Sequence, residues 1–287
     1  MADIVLGQHP LLKKEFVDKR IRDLIGHQFV ADQLFTQTDV DALAIKYLKD
    51  TDTDAQGRQA YDEVPEVGEG SGFKRIGLDE EEKTAMIRKY GLEAVITYEM
   101  QKFGSAGQFE RAYRKLALNV RKMVDGMAYK VLTNTASGIL TVDGKDWGNA
   151  TTGDANVISD LVDAKKAIRD YGYMADTAVI SPETEARLMK SKSVRDALRQ
   201  NNTDVALLRG YIGDFMGLSF IVDENFNDND VLVLQKKVIG DIADAEALRT
   251  KTYNEESNDR SIVRATRFTQ AYLTDPKAVF FITGVNA

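Results

Sequence analysis

The sequence predicts an α+β fold. Three features carry that prediction: one long amphipathic helix over about 107–133, a compact alternation of helix and strand between about 155 and 234, and long strands returning over about 247–273. A glycine-punctuated acidic hairpin precedes them all.

The first 48 residues form an arm with some helical spacing. Phe16, Ile21, Leu24 and Ile25 recur at helical intervals, and so do Val40, Leu43, Ala44 and Tyr47. The basic cluster Lys13, Lys14, Lys19, Arg20 and Arg22 lies here. Such a run is ordinarily a solvated helix face; contact with an acidic neighbour or with DNA is the sharper reading. Residues 49–84 are then a long hairpin. Its arms, about 60–67 and 73–78, flank Gly68-Glu69-Gly70-Ser71-Gly72, whose alternating glycines permit a reversal at positive φ. Pro65 restricts one arm to a sheet edge. The hairpin holds too little apolar surface to be stable alone and must lie on something else. Asp79-Glu80-Glu81-Glu82 reads as the acidic first turn of a following helical segment.

Leu92, Ala94, Ile96 and Tyr98 alternate as one face of a short strand. Ser105 with Gln108 then forms a capping box for the long helix. Phe109, Ala112, Tyr113, Leu116, Val120, Met123, Val124, Met127, Val131 and Leu132 follow at steps of three and four and define its buried face. The opposite face carries Arg111, Arg114, Lys115, Arg121, Lys122 and Lys130. Leu140 to Trp147 reads as a tight hairpin around Asp143-Gly144. An amphipathic helix from about 155 stops at Gly172, and Thr177–Ile180 is a buried strand. Ser181-Pro182-Glu183 starts the next helix with a serine cap and proline in the first turn. Strands at 218–222, 231–234, 247–253, 261–273 and 278–282 complete the order, with a reversal at 254–260.

Composition narrows the chemistry. The 287 residues include 45 acidic and 38 basic side chains, a net charge of -7, which disfavours a broad DNA-gripping surface. Cysteine is absent, so disulfides, thiolate metal sites and thiol nucleophiles are excluded. The two histidines, His9 and His27, precede every serine that would need a histidine base in the body of the chain. The glycine run at 68–72 lacks the following helix of a phosphate loop. Asp223-x-Asn225-x-Asn227 lacks the glycine and terminal glutamate of a calcium loop. Asn149 and Asn201 match the glycosylation pattern, yet the start of the chain has no signal-peptide character and no apolar run reaches a membrane span. No catalytic, metal or cofactor residue is assigned.

The order of elements resembles the HK97-like major capsid proteins of tailed double-stranded DNA viruses. The residues carrying the resemblance are Leu92 to Met100 leading into helix 107–133, Thr177 to Glu183, Leu207 to Leu218, and Arg264 to Val279. The resemblance implies an N-terminal arm (1–48), an extended loop (49–84), a peripheral domain (85–148 and 241–275) with a spine helix at about 107–133, and an axial domain (149–240 and 276–287). It also implies hexamers and pentamers in an icosahedral shell around packaged DNA, bound without sequence specificity. A portal, a separate scaffold protein and decoration proteins are the implied partners, with no membrane. The expected location is the virion, after assembly in the host cytoplasm. An encapsulin-like shell around a cargo enzyme is the alternative.

One contact follows from charge alone. Residues 39–82 hold 13 acidic and 5 basic side chains, whereas residues 111–130 hold one acidic and 6 basic. The acidic hairpin of one copy, through Asp62, Glu63, Glu66 and Glu69, is expected to lie over Arg111, Arg114, Lys115, Arg121 and Lys122 of the next.

Overall fold

The computed structural model describes residues 10–25, 29–51, 66–73, 80–104, 106–149, 151–192, 194 and 214–285. Its helices are α1 (Lys14–Ile25), α2 (Val30–Leu34), α3 (Tyr98–Phe103), α4 (Ala106–Leu132), α5 (Gly153–Asp170) and α6 (Pro182–Lys190). Its strands are β1 (Thr36–Asp39), β2 (Ala44–Asp50), β3 (Glu80–Met86), β4 (Arg88–Thr97), β5 (Leu140–Asp143), β6 (Thr177–Ile180), β7 (Asp214–Phe215), β8 (Leu218–Val222), β9 (Asp230–Leu234), β10 (Gly240–Glu255), β11 (Arg260–Leu273) and β12 (Val279–Thr283). The expected hairpin arms over 60–65 and 74–78, the Ser105 cap, Asn201 and most of 207–218 lie outside the described residues.

The chain divides into two units. The first joins residues 1–45, 85–130 and 241–272 around a four-stranded sheet ordered β1-β10-β11-β4. β1 runs parallel to β10, and β4 runs antiparallel to β11 from Arg88 opposite Thr269 to Thr97 opposite Arg260. At about 3.3 Å per residue, the 16 residues of β10 span roughly 50 Å. β4 can lie flush on β11 because position 91 is glycine: a Cβ there would stand 2.7 Å from the Thr266 methyl.

Helix α4 matches the expected 107–133 to within a residue at each end. Phe109, Tyr113, Leu116, Val120, Val124, Met127 and Leu132 are buried, as the 3.6-residue period requires. The Tyr113 hydroxyl donates to the Leu11 carbonyl at 2.6 Å, tying the N-terminal segment to the helix, and burial pushes its phenol pKa up. Buried Asp125 accepts the Ala31 N–H at 3.0 Å. Helix α2 has Phe29 at its N-cap and no capping side chain of its own, so α4 supplies the missing acceptor.

The same unit contains a buried ionic cluster. Arg267 donates to both oxygens of Asp244 (3.0 and 2.7 Å) and to Asp32 (3.0 Å), and its guanidinium lies 5.1 Å from the Phe29 ring centre. Burial alone would pull the Arg267 pKa down; the bond to Asp244 and the two negative charges more than offset this and hold it above its ordinary value.

The second unit joins residues 46–84, 131–240 and 273–287. Its six-stranded mixed sheet has the order β5-β12-β9-β6-β8-β7. β12 is parallel to β5 and antiparallel to β9; β6 is antiparallel to β9 and parallel to β8. Val157, Leu161, Ala164 and Ile168 of α5 join Ala178, Ile180, Val231, Val233, Phe280 and Ile282 in one core. Ser181 caps α6 by accepting the Thr184 N–H at 3.2 Å, as its sequence predicts.

Three expectations are corrected. Residues 44–47 are strand and not helix, and Glu80–Met86 is strand and not a helical turn: β2 and β3 pair as a two-stranded sheet. This hydrogen-bonded base begins before residue 49 and ends after residue 84. Leu140 to Trp147 is no hairpin. β5 pairs with β12, and the Gly144 N–H donates to the Thr283 carbonyl. A Cβ at 144 would sit 2.7 Å from the Ile282 Cγ2, so this glycine serves close packing. Trp147 is buried and its indole N–H donates to Asp160 at 2.9 Å.

Candidate functional site

The outward face of α4 is the feature the sequence singled out. Arg111, Arg114, Lys115, Lys122 and Lys130 are exposed along it. Arg111 also donates to the Gly107 carbonyl one turn back, at 3.2 Å. Arg121 departs from the expectation. It is half-buried, and its guanidinium lies 3.5 Å from the carboxylate of Asp125 on the next turn. Its charge serves the interior of the unit. Glu110 at the start of the helix takes a two-pronged bond from Arg20 at 2.8–2.9 Å, which also removes Arg20 from the expected free basic cluster. Asp125 is the sole acid between 111 and 130 and is fully buried, so the exposed stripe presents cations without a carboxylate. Leu118, 47% exposed, sits in the middle of that stripe.

The hairpin presents the opposite charge. Its base carries the ion pairs Lys46–Glu82 (2.6 Å) and Lys83–Glu81 (3.1 Å). Lys49 is buried there; desolvation, aided by the nearby Lys83 charge, lowers its pKa. Residues 66–73 are all exposed, including Glu66 and Glu69, and Gly70 adopts φ +80° at the reversal. Phe73 follows with 83% of its surface in water. Asp62 and Glu63 lie outside the described residues.

This arrangement suits recognition by charge. Among the described residues no cluster of His, Asp or Glu is placed to hold a metal ion. No described helix is long and apolar enough to cross a membrane. Sequence reasoning missed Arg267, Asp125 and Asp160. Each is a charged residue inside an otherwise apolar pattern, and that interruption is the signal available in the sequence.

Comparison with known proteins places the chain. A phage capsid protein family model matches residues 80–282, and the chain belongs to that family. No curated protein sequence matches it. Among solved structures, the capsid of the cyanophage P-SCSP1u is similar at a TM-score of 0.65 and 10% identity, covering 90% of this chain and 89% of its own. A virus-like particle from Pyrococcus furiosus gives 0.62 and 13%, covering 93% and 98%. A structure from Mycobacterium phage Che8 gives 0.59 and 13%, covering 84% of each chain. The fold is therefore the HK97-like capsid fold, and the protein is a capsid shell protein.

Proposed function

We propose that this chain is the major capsid protein of a tailed double-stranded DNA virus, assembling as hexamers and pentamers into a closed icosahedral shell around the genome. The match of the phage capsid family to residues 80–282 carries this reading. The portal, a separate scaffold and decoration proteins are its proposed partners, and the virion is its proposed location. The net charge of -7 suits a wall against which packed DNA must slide.

Within the shell, the acidic hairpin of one copy lies over the basic face of α4 of the next. Each exposed ion pair contributes about 0–1 kcal/mol. Repetition around a closed symmetric shell makes such weak contacts sufficient, and their salt sensitivity lets assembly correct itself.

Electron microscopy of the purified chain across salt concentrations tests the class. Uniform shells support it, and a small oligomer at every salt concentration overturns it. Replacing Arg111, Arg114, Lys115 and Lys122 together by glutamate tests the contact. Helical content by circular dichroism should hold, because all four are exposed, while shells are lost. Normal shells from this variant refute the contact. Arg121 is left in place, since glutamate there would face buried Asp125.

The match to a virus-like particle over 98% of that chain favours one second reading, an encapsulin-like shell around a cargo enzyme. Shells purified from the native source that hold an enzyme in place of double-stranded DNA would decide for it.

A further inference from the structure

We propose that the cleft between the C-terminal half of α5 and the β7–β8 turn binds a small amphipathic anion, an aliphatic or aromatic body carrying one carboxylate or sulfonate. The inference goes beyond the shell reading and does not depend on it, because every residue that lines the cleft belongs to one unit of one copy. Helical spacing builds one wall. Val162, Lys165, Lys166 and Arg169 stand at i, i+3, i+4 and i+7 and so share a face of α5. A second wall is the two-residue turn Met216-Gly217, with φ of +55° and +71°, that joins β7 to β8. Such turns ordinarily take asparagine and glycine; methionine in that place lines the cleft with a flexible apolar side chain. Tyr173, Ala175 and Met216 pack against the core of the unit and form the floor. The cavity measures about 490 Å³, a volume ordinary for small-ligand sites.

Three hydrogen bonds hold the walls in place. The Lys165 Nζ donates to the Met216 carbonyl at 2.6 Å, the Tyr173 hydroxyl to Asp275 at 2.8 Å, and the Met174 N–H to Gln235 at 2.8 Å. A site fixed in this way loses little freedom when a ligand arrives. Its charge is one-sided: among the described residues no carboxylate lines the cleft. Asp163 and Asp170 flank the cationic face along α5, yet Lys166 and Arg169 form no ion pair with a described residue. Asp214 is exposed at the start of β7, and Asp176 accepts the Lys236 N–H. Nor are the cations needed to close the helix, because the N–H groups of Tyr171, Gly172 and Tyr173 already donate to the Ile168 and Arg169 carbonyls. Cations three and four residues apart lie within one turn, about 5–6 Å between Cβ atoms, so one anionic head can bridge them. A second cavity of this unit, about 470 Å³ beside Trp147, sets Asp154 and Glu183 among Arg187, Lys190 and Lys192 and lacks this one-sidedness.

Fluorescence titration of the full-length chain with anilinonaphthalene sulfonate, itself an amphipathic anion, tests the site. Decanoate should displace the dye from one saturable site per chain. Hexanoate, with its shorter tail, should need a concentration about tenfold higher. Decylamine, which has the tail and the opposite charge, should leave the dye in place. Lys166→Glu with Arg169→Glu should weaken decanoate binding about tenfold, because two attractions become repulsions. Both side chains are exposed, so the circular dichroism of this variant should match the wild type. Lys190→Glu with Lys192→Glu makes the same change of charge at the second cavity, where both side chains are also exposed, and should bind as the wild type does. Equal weakening in the two variants overturns the site, and so does displacement by decylamine as effective as by decanoate. Absence of saturable binding to the wild-type chain overturns it as well. The amine and hexanoate comparisons use the wild-type chain alone and decide the matter even where a variant misfolds. Shells are scored separately by microscopy, so failure of the site leaves the shell reading intact.

Discussion

Replacing Arg267 by methionine isolates what the buried ionic cluster contributes. The side chain is 3% exposed and joins Asp32 of α2 to Asp244 of β10 and Phe29. Methionine keeps much of the stem volume and removes all three hydrogen bonds, leaving two carboxylates without their cation. Orphaning a buried charge costs about 3–5 kcal/mol. Here the lower end, about 3 kcal/mol, applies, because the Asp32 side chain retains 22% exposure and can recruit water. That is a rise of roughly a hundredfold in the opening equilibrium of the surrounding amides. Hydrogen exchange on the unassembled chain should show it in α2 and at 241–244 of β10. Asp244→Asn in the Arg267→Met background should recover at least half, since the more deeply buried of the two unpaired charges is then gone. A loss under about 1 kcal/mol, too small for an orphaned buried charge, or no recovery in the double variant, refutes the electrostatic account.

Two further outcomes follow from the described contacts. Asp160→Ala removes the acceptor of the Trp147 indole and of the Lys145 N–H; the second unit should lose about 1–3 kcal/mol, and acrylamide should quench Trp147, the only tryptophan, more strongly. An unchanged quenching constant would contradict the packing. Low pH should loosen the β4–β10–β11 region. Hydrogen bonds from Arg264, then Tyr253, hold the Glu93 carboxyl below its usual range, and Arg260 does the same for Glu255. A depressed folded-state pKa means that the stabilisation is complete above the ordinary glutamate value of about 4.3 and is lost as pH falls through the folded value. The thermal midpoint should therefore decline below that range and decline less in Arg264→Gln. Equal slopes in both proteins would rule out this linkage.

Much of the fold was legible because faces are written locally. The period of Phe109 to Leu132 specified α4 nearly to the residue, since a helix in a packed unit needs one apolar face however the rest is arranged. Ser181 and Pro182 marked the start of α6 because cap chemistry involves only three or four neighbours. The basic stripe was legible for the same reason, as helical spacing places Arg111, Arg114, Lys115 and Lys122 together without reference to anything distant.

Tertiary pairing decided the rest. Glu80–Glu82 have the local preference of a helix start, yet they form β3 because β2 offers a partner strand and Lys46 an opposing charge. Asp143-Gly144 has the local signature of a reversal, yet the partner of β5 is β12, some 140 residues on, and the glycine is there because Ile282 leaves no room for a side chain. Arg121 has the sequence of a surface cation and is turned inward by Asp125, which is itself held by the first turn of α2. Arg267 sits in a strand whose neighbours are apolar, and only the meeting of β10, β11 and the segment 29–35 surrounds it with carboxylates. Sequence fixes which side of an element avoids water; which distant group then stands opposite that side is a property of the assembled chain.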